Sequence, residues 1–148
     1  MALVDISDIQ EEIAKVLRYD TDLTAINAQI TVEEEPQWQS LQPWVGIYWD
    51  RYDALPEQYA AGGQSMMYRL RFTIWCFINS LESYKAAIKP RNDLLAKVRL
   101  ALMNNRTIND KAMQAFIEGG DIISANDPER GIIMGGEIVL NVDVEETS

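Results

Sequence analysis

The chain has 148 residues, 47% hydrophobic and 24% charged, which is enough for one domain with a real core. It holds one cysteine and no histidine, which excludes histidine-based nucleophilic catalysis, histidine metal sites, zinc–cysteine clusters and internal disulfides. Its net charge of −10, with 13 scattered basic residues, argues against duplex nucleic acid as a tightly held ligand.

The first residues, Met1 to Asp5, lack the basic and apolar regions of a signal peptide, so the chain is expected in the cytoplasm where it is made. Residues 5–18 then read as an amphipathic helix, with Ile6, Ile9, Ile13, Val16 and Leu17 on one stripe opposite Asp8, Glu11, Glu12 and Lys15. Ser7 with Gln10 forms a candidate capping box, and Asp5 competes for the cap. Asp20 to Ile26 follows as a capped single turn that carries Leu23 and Ile26 inward.

Gln29 to Val32 is a short strand candidate, ended by the acidic Glu33, Glu34, Glu35 and by Pro36, a solvated edge or loop. Pro43 introduces an aromatic strand from Trp44 to Trp49. Asp50 to Ser65 lacks periodicity and holds Tyr52, Leu55 and Tyr59 as isolated apolar points, either a loose hairpin tip or an arm that orders against a neighbouring subunit. Asp50 and Asp53 have no third ligand nearby, so they make a weak metal pair, and no metal or cofactor is expected.

Met66 to Ile78 alternates with a period of two. Tyr68, Leu70, Phe72, Ile74, Cys76 and Ile78 share one side, and Arg69, Arg71 and Thr73 the other. Cys76 on the apolar side reads as a small buried hydrophobe. Asn79 and Glu82 can box the start of a helix whose apolar phase runs to about Met103 across Pro90, which predicts one kinked helix. Thr107 to Glu118 is weakly helical or extended, and Ile122 and Ile123 suggest a strand.

After a turn at Asn126 to Gly131, Ile132 to Met134 and the alternating run from Gly136 to Glu145 complete the sheet. Ile138, Leu140, Val142 and Val144 face one way, and Glu137, Asn141, Asp143 and Glu145 the other. Gly119 with Gly120, and Gly135 with Gly136, are expected to mark bulges or bends, since no lysine–hydroxyl pair or helix follows to make a phosphate loop. The expected class is α+β: an antiparallel or mixed sheet of four to five strands with two main helices on one face.

The candidate chemistry is that of contact. Trp44, Trp49 and Trp75 lie in predicted strands and suit core or interface packing, whereas Trp38 lies in a loop as a contact anchor. Arg69 and Arg71 could clamp an anion, but their spacing opposite acidic residues favours cross-strand pairing. No constellation for catalysis emerges, and a carboxylate-only hydrolase lacks a positioned pair. The alternatives are an assembly module or a small α+β ligand-binding or regulatory domain with the 44–49 strand as a pocket wall.

Several landmarks resemble the tail-terminator (tail-completion, or head–tail joining) proteins of tailed bacteriophages. They are the helix ending Ile13-Ala14-Lys15-Val16-Leu17 before Asp20-Thr21-Asp22-Leu23-Thr24-Ala25-Ile26, the strand entry Gln42-Pro43-Trp44-Val45-Gly46-Ile47, the run Tyr68 to Trp75 leading to Asn92 to Leu102, and the closing strand Gly136 to Val142. Another phage neck or minor tail protein is the alternative within the same resemblance. The resemblance implies a non-enzymatic virion protein at the tail–neck junction, assembled in the host cytoplasm. It would form a hexameric ring that caps the tail tube and joins it to the head connector, with DNA passing through unbound and no membrane involved. Implied partners are further copies of the chain, the tube protein, a neck or head-completion protein, and a sheath or sheath-terminating protein. Candidate subunit or tube contacts are then Trp38, Tyr52, Leu55, Tyr59, Arg69 and Arg71. Candidates for an acidic lumen or rim are Glu33, Glu34, Glu35, Asp50, Asp53, Glu137, Asp143 and Glu145.

Overall fold

Two long alternating strands lie side by side and the remaining elements attach to them. The computed structural model describes residues 4–35, 42–55, 65–80, 82–127 and 131–147. In order these form α1 (Ile6–Arg18), α2 (Thr21–Ala25), β1 (Gln29–Val32), β2 (Trp44–Ala54), β3 (Ser65–Ser80), α3 (Tyr84–Met103), β4 (Gln114–Gly119), β5 (Ile122–Asp127) and β6 (Gly131–Thr147). The six-stranded sheet has the order β1-β2-β3-β6-β4, with β5 continuing the β4 edge along β6. β1 runs parallel to β2, and the other pairings are antiparallel. The α+β class is as expected, and the strand count exceeds four to five because residues 114–119, weakly patterned in sequence, join the edge.

The β3–β6 register sets Phe72 opposite Leu140 and Ile74 opposite Ile138. The even-numbered side of both strands therefore forms the core with Ile9, Ile13 and Leu17 of α1 and Leu94, Val98 and Leu102 of α3. Each such side chain, fully buried, stabilises the fold by roughly 1.5–3 kcal/mol. Cys76 is among them, and burial pushes its thiol far above the usual range, so it is an inert packing group.

The helix ends follow local chemistry. Asp5, not Ser7, caps α1 by accepting from the Asp8 N–H at 3.2 Å. Asp20 caps α2 through the Asp22 and Leu23 N–H groups, both at 3.0 Å. The cap of α3 is Ser83, accepting from the Ala86 N–H at 3.1 Å, because β3 runs on to Ser80 and takes Asn79 into the ladder. Helix α3 continues through Pro90 on its exposed side, where water can serve the Ala86 carbonyl that proline leaves without a donor.

Residues 106–113 explain why the sequence pattern weakens there. Ile108, Asn109 and Asp110 all have positive φ, at 48°, 54° and 66°. A left-handed conformation costs roughly 1–2 kcal/mol per residue, and side-chain contacts hold this turn against α1. Asn109 accepts from Asn105 at 2.6 Å and donates to Glu12 at 3.1 Å, while Lys111 pairs with Asp8 at 3.1 Å. Ile108 is thereby fully buried.

The expected loop from Asp50 is corrected at its start, since β2 extends to Ala54, pairing with Tyr68. A bulge lies between Trp49 and Arg51. It inserts Asp50 as an extra residue, so that Trp49 and Tyr52 both share the core side, opposite Phe72 and Leu70. The expectation of a bulge also holds at Gly119, where the β4–β6 register shifts. Gly135 and Gly136 form none with β3: the ladder passes through them unbroken. Glycine is needed at 135 because a Cβ there would lie 2.0 Å from the Cys76 carbonyl oxygen and 2.6 Å from the Phe77 ring. Gly135→Ala is therefore expected to lower unfolding stability by about 2–3 kcal/mol in urea titrations, and an unchanged midpoint would show that β3 and β6 do not approach in this register.

Candidate functional site

Helices α1 and α3 cover only one side of the sheet, the side that carries the core. An antiparallel sheet with one solvated face ordinarily alternates apolar-in and polar-out, and half of this one departs from that rule. Facing outward are Trp44 and Tyr48 of β2 and Trp75 and Phe77 of β3, with Trp44 opposite Phe77 and Gly46 opposite Trp75. Trp44 stacks on Phe77 (centroids 5.8 Å apart, planes 16°), and Phe77 on Trp75 (5.8 Å, 10°).

Glycine makes room for these rings. A Cβ at Gly46 would lie 2.4 Å from the Trp44 indole, and Gly135 accommodates Phe77 in the same way. The Trp44 indole N–H donates to the Thr31 hydroxyl at 3.0 Å, which anchors the stack to β1. Together with Ile123 of β5 the aromatics line a groove of about 300 Å³. Strand membership identifies the tryptophans as packing residues, but alternation alone does not reveal the glycine spacing that turns them into one outward platform. The W-x-G pattern on β2 and the Gly-Gly pair on β6 were its signal.

Carboxylates border the platform. Glu137 lies opposite Trp75, and burial first, then the neighbouring Asp121 and Asp50, raise its pKa. Asp50, presented by the bulge, accepts a hydrogen bond from the Thr73 hydroxyl. Tyr48 donates to the Glu34 carbonyl, and burial followed by Glu33, Glu35 and Glu34 raises its pKa. Among the described residues no group of three acidic or cysteine side chains is arranged to hold a metal ion.

The other half of the same face is polar and internally paired. Arg69 meets Asp143 through two bonds, 2.8 and 3.1 Å, and lies 4.8 Å from the centre of the Phe116 ring. Asp143 is 3% exposed. Burial raises its pKa, but the bonds from Arg69 and Gln114 and the Arg69 charge outweigh this and hold it below the usual range. Arg71 lies opposite Asn141 and pairs with Glu118 of β4 at 3.4 Å. Both arginines thus have partners within one subunit.

The remaining nominated residues separate into distinct places. Glu33, at φ 53°, accepts from the Gln10 amide and the Trp49 N–H, both at 2.8 Å, so it ties α1 to β2. Asp53 pairs with Arg51 at 2.6 Å, and Glu34, Glu35 and Glu145 are exposed. Tyr52, 60% exposed, stacks on Trp49 and meets the edge of Tyr68 across the β2–β3 pairing. This cluster borders a groove of about 220 Å³ with Val4 and Ile6. Leu55 is half-buried beyond it. Trp38 and Tyr59 lie outside the described residues.

The sequence matches no protein-family model and no curated protein. Among solved structures, the whole chain superposes on a sheath/tube terminator of PVC, an extracellular contractile injection system, in its extended state, with a TM-score of 0.52 and 13% identity. The chain spans 59% of that protein's length. A chain from the virion of a native gene transfer agent particle gives a TM-score of 0.44 at 13% identity, covering 93% of this chain and 94% of its own. The fold is therefore one that a sheath/tube terminator also adopts. Among the described residues no helix is long and apolar enough to cross a membrane.

Glu137 and Asp143 act on stability with opposite sign. Glu137 has a raised folded pKa, so its contribution is present in acid and is lost as pH rises through that pKa. Asp143 has a depressed one, so its contribution is present above the ordinary carboxylate pKa and is lost as pH falls through the folded one. Glu137→Gln should be more stable than wild type at neutral pH and equal to it in acid. Asp143→Asn should lose about 2 kcal/mol at neutral pH and little in acid. Thermal unfolding across pH 3 to 8 (on the order of the carboxylate range) checks both signs.

Proposed function

We propose that this protein is a structural component of a phage-tail-like particle, a tail terminator. Copies of it would form a ring, most simply a hexamer, that caps the tail tube and joins it to the head connector. The observation that carries this reading is the match of fold along the entire chain to a sheath/tube terminator. The chemistry of the outward face supports it, since stacked aromatics beside carboxylates suit protein contact.

Size supports a ring. A 148-residue domain has a radius of gyration of about 15 Å, too small for one copy to encircle a duplex. Heterologous contacts that close by rotation provide the enclosure. A net charge of −10 suits a channel along which DNA slides without sticking. In this role the chain is non-enzymatic and resides at the tail–neck junction after assembly in the host cytoplasm. Its partners are other copies, the tube protein, a neck protein and, in a sheathed tail, the sheath or its terminating protein. The outer ends of β2 and β3, with Trp49, Tyr52 and Tyr68 clustered there, offer an aromatic surface for the tube.

The second reading, a small-ligand domain, rests on the groove walled by Trp44, Trp75 and Phe77. At about 300 Å³ and on an open sheet face, it is at the lower limit of ligand sites. Native mass spectrometry and negative-stain imaging, alone and with tail tubes of the parent particle, separate the two. Closed rings in solution or rings at tube ends are expected. A protein that stays monomeric, ignores tubes and binds a small molecule would overturn the terminator reading.

A further inference from the structure

The bulge at Asp50 builds a feature that a regular strand would not have. Side chains three positions apart on an unbroken strand lie on opposite faces, yet Trp49 and Tyr52 stand together, opposite Phe72 and Leu70. Their ring centroids are 6.0 Å apart with planes at 26°, and Tyr68 of β3 meets Tyr52 edge-on at 6.1 Å and 69°. Helix α1 starts at Ile6 and the strands run past it, which leaves Trp49 37% and Tyr52 60% exposed. The three rings wall the groove of about 220 Å³ on the helix side of the sheet, and the buried Leu70 and Val144 also line it.

The groove has the chemistry of a cation site. Among the described residues lining it, Glu146 alone is charged at neutral pH, and no lysine or arginine is there. Glu146 is half-buried, and its carboxylate accepts one long bond, from the Val4 N–H at 3.4 Å, so most of its acceptor capacity is open. Aromatic faces carry negative potential and attract a cation laid over them. A carboxylate in the same groove adds to that attraction, as does the chain's net charge of −10. The walls are already fixed: the Trp49 indole N–H donates to the Arg51 carbonyl at 3.0 Å, and the Trp49 backbone N–H to the Glu33 carboxylate at 2.8 Å. Little ordering is left for a ligand to impose.

Size and shape choose among cations. About 220 Å³ lies below the range of about 300–1,000 Å³ usual for small-molecule pockets, and suits one long side chain. A guanidinium is planar, stacks on aromatic rings and bonds a carboxylate through two parallel N–H groups, none of which an ammonium does as well. We propose that this groove receives an arginine side chain presented by a partner protein, its guanidinium stacked against Tyr52 and its neighbouring rings and bonded to Glu146. The groove is complete within one subunit, so the proposal goes beyond the ring reading and does not depend on it.

Saturation-transfer NMR titration of the full chain tests it with three blocked tripeptides, glycine–X–glycine, in which X is arginine, its neutral isostere citrulline, or norleucine. The arginine peptide should bind about tenfold more tightly than either of the others. Tyr52→Ala and Glu146→Gln should each weaken it at least fivefold, with circular dichroism unchanged, and raised salt should weaken it further. Glu146→Lys should abolish binding by placing a competing cation in the groove, which gives a second route should Tyr52→Ala disturb the strands. Equal binding of the norleucine peptide would make the groove merely apolar and overturn the proposal. Arginine binding that the Tyr52 and Glu146 variants leave unchanged would do the same, and so would no binding at all. Rings formed by a chain that binds no arginine peptide would overturn this site and leave the ring reading standing. Arginine binding by a chain that never forms rings would do the reverse.

Discussion

The β3–β6 ladder is the constraint on which the rest of the molecule depends. Ser65–Ser80 pairs along its whole length with residues 132–147 in unbroken antiparallel register. Because side chains alternate with a period of two, that register commits every residue of both strands to one face. Leu70, Phe72, Ile74, Leu140 and Val142 go to the helices, while Arg69, Trp75, Phe77, Glu137 and Asp143 go outward. A slip of one position would bury the Arg69–Asp143 pair's charges in the core and expose Phe72, so the ion pair and the core specify the same alignment.

The outward face then takes its character from what is absent as much as from what is present. Gly46 and Gly135 remove side chains beside Trp44 and Phe77, and the rings lie over the backbone in their place. The bulge at Asp50 adds a residue, which keeps Tyr52 with the core side and turns a carboxylate toward Thr73. One end of the face is thus aromatic with a carboxylate border, and the other is a closed polar network of Arg69, Asp143, Gln114 and Glu118 with Arg71. The aromatic end has surface chemistry that water satisfies poorly.

Much of this architecture was legible in the chain because the governing periodicities are strong. The alternation at 66–78 and 136–145, the amphipathic stripe at 5–18 and the phase of 84–103 each identify an element whose buried side the structure reproduces. Where the outcome differed, a non-local force prevailed. Asn79 lost its capping role because pairing with Ile133 extends β3 past it. Residues 50–54 have few core side chains, yet become strand because Tyr68 to Arg71 offer them a ladder. The 108–110 turn is invisible in propensity, since its left-handed backbone is held by Glu12 and Asp8 on a helix a hundred residues earlier in order of magnitude. The aromatic platform needed the pairing of three strands before its glycines and rings could be placed together.

The central claim is that the outward aromatic face is where this subunit meets protein. Hydroxyl-radical footprinting read by mass spectrometry, on the free chain and on the assembled particle, addresses it directly. The account predicts that Trp75 and Phe77, half-buried in the free subunit, lose oxidation on assembly while the exposed Tyr19, remote from that face, keeps its reactivity. Equal oxidation of Trp75 and Phe77 in the two states would contradict it.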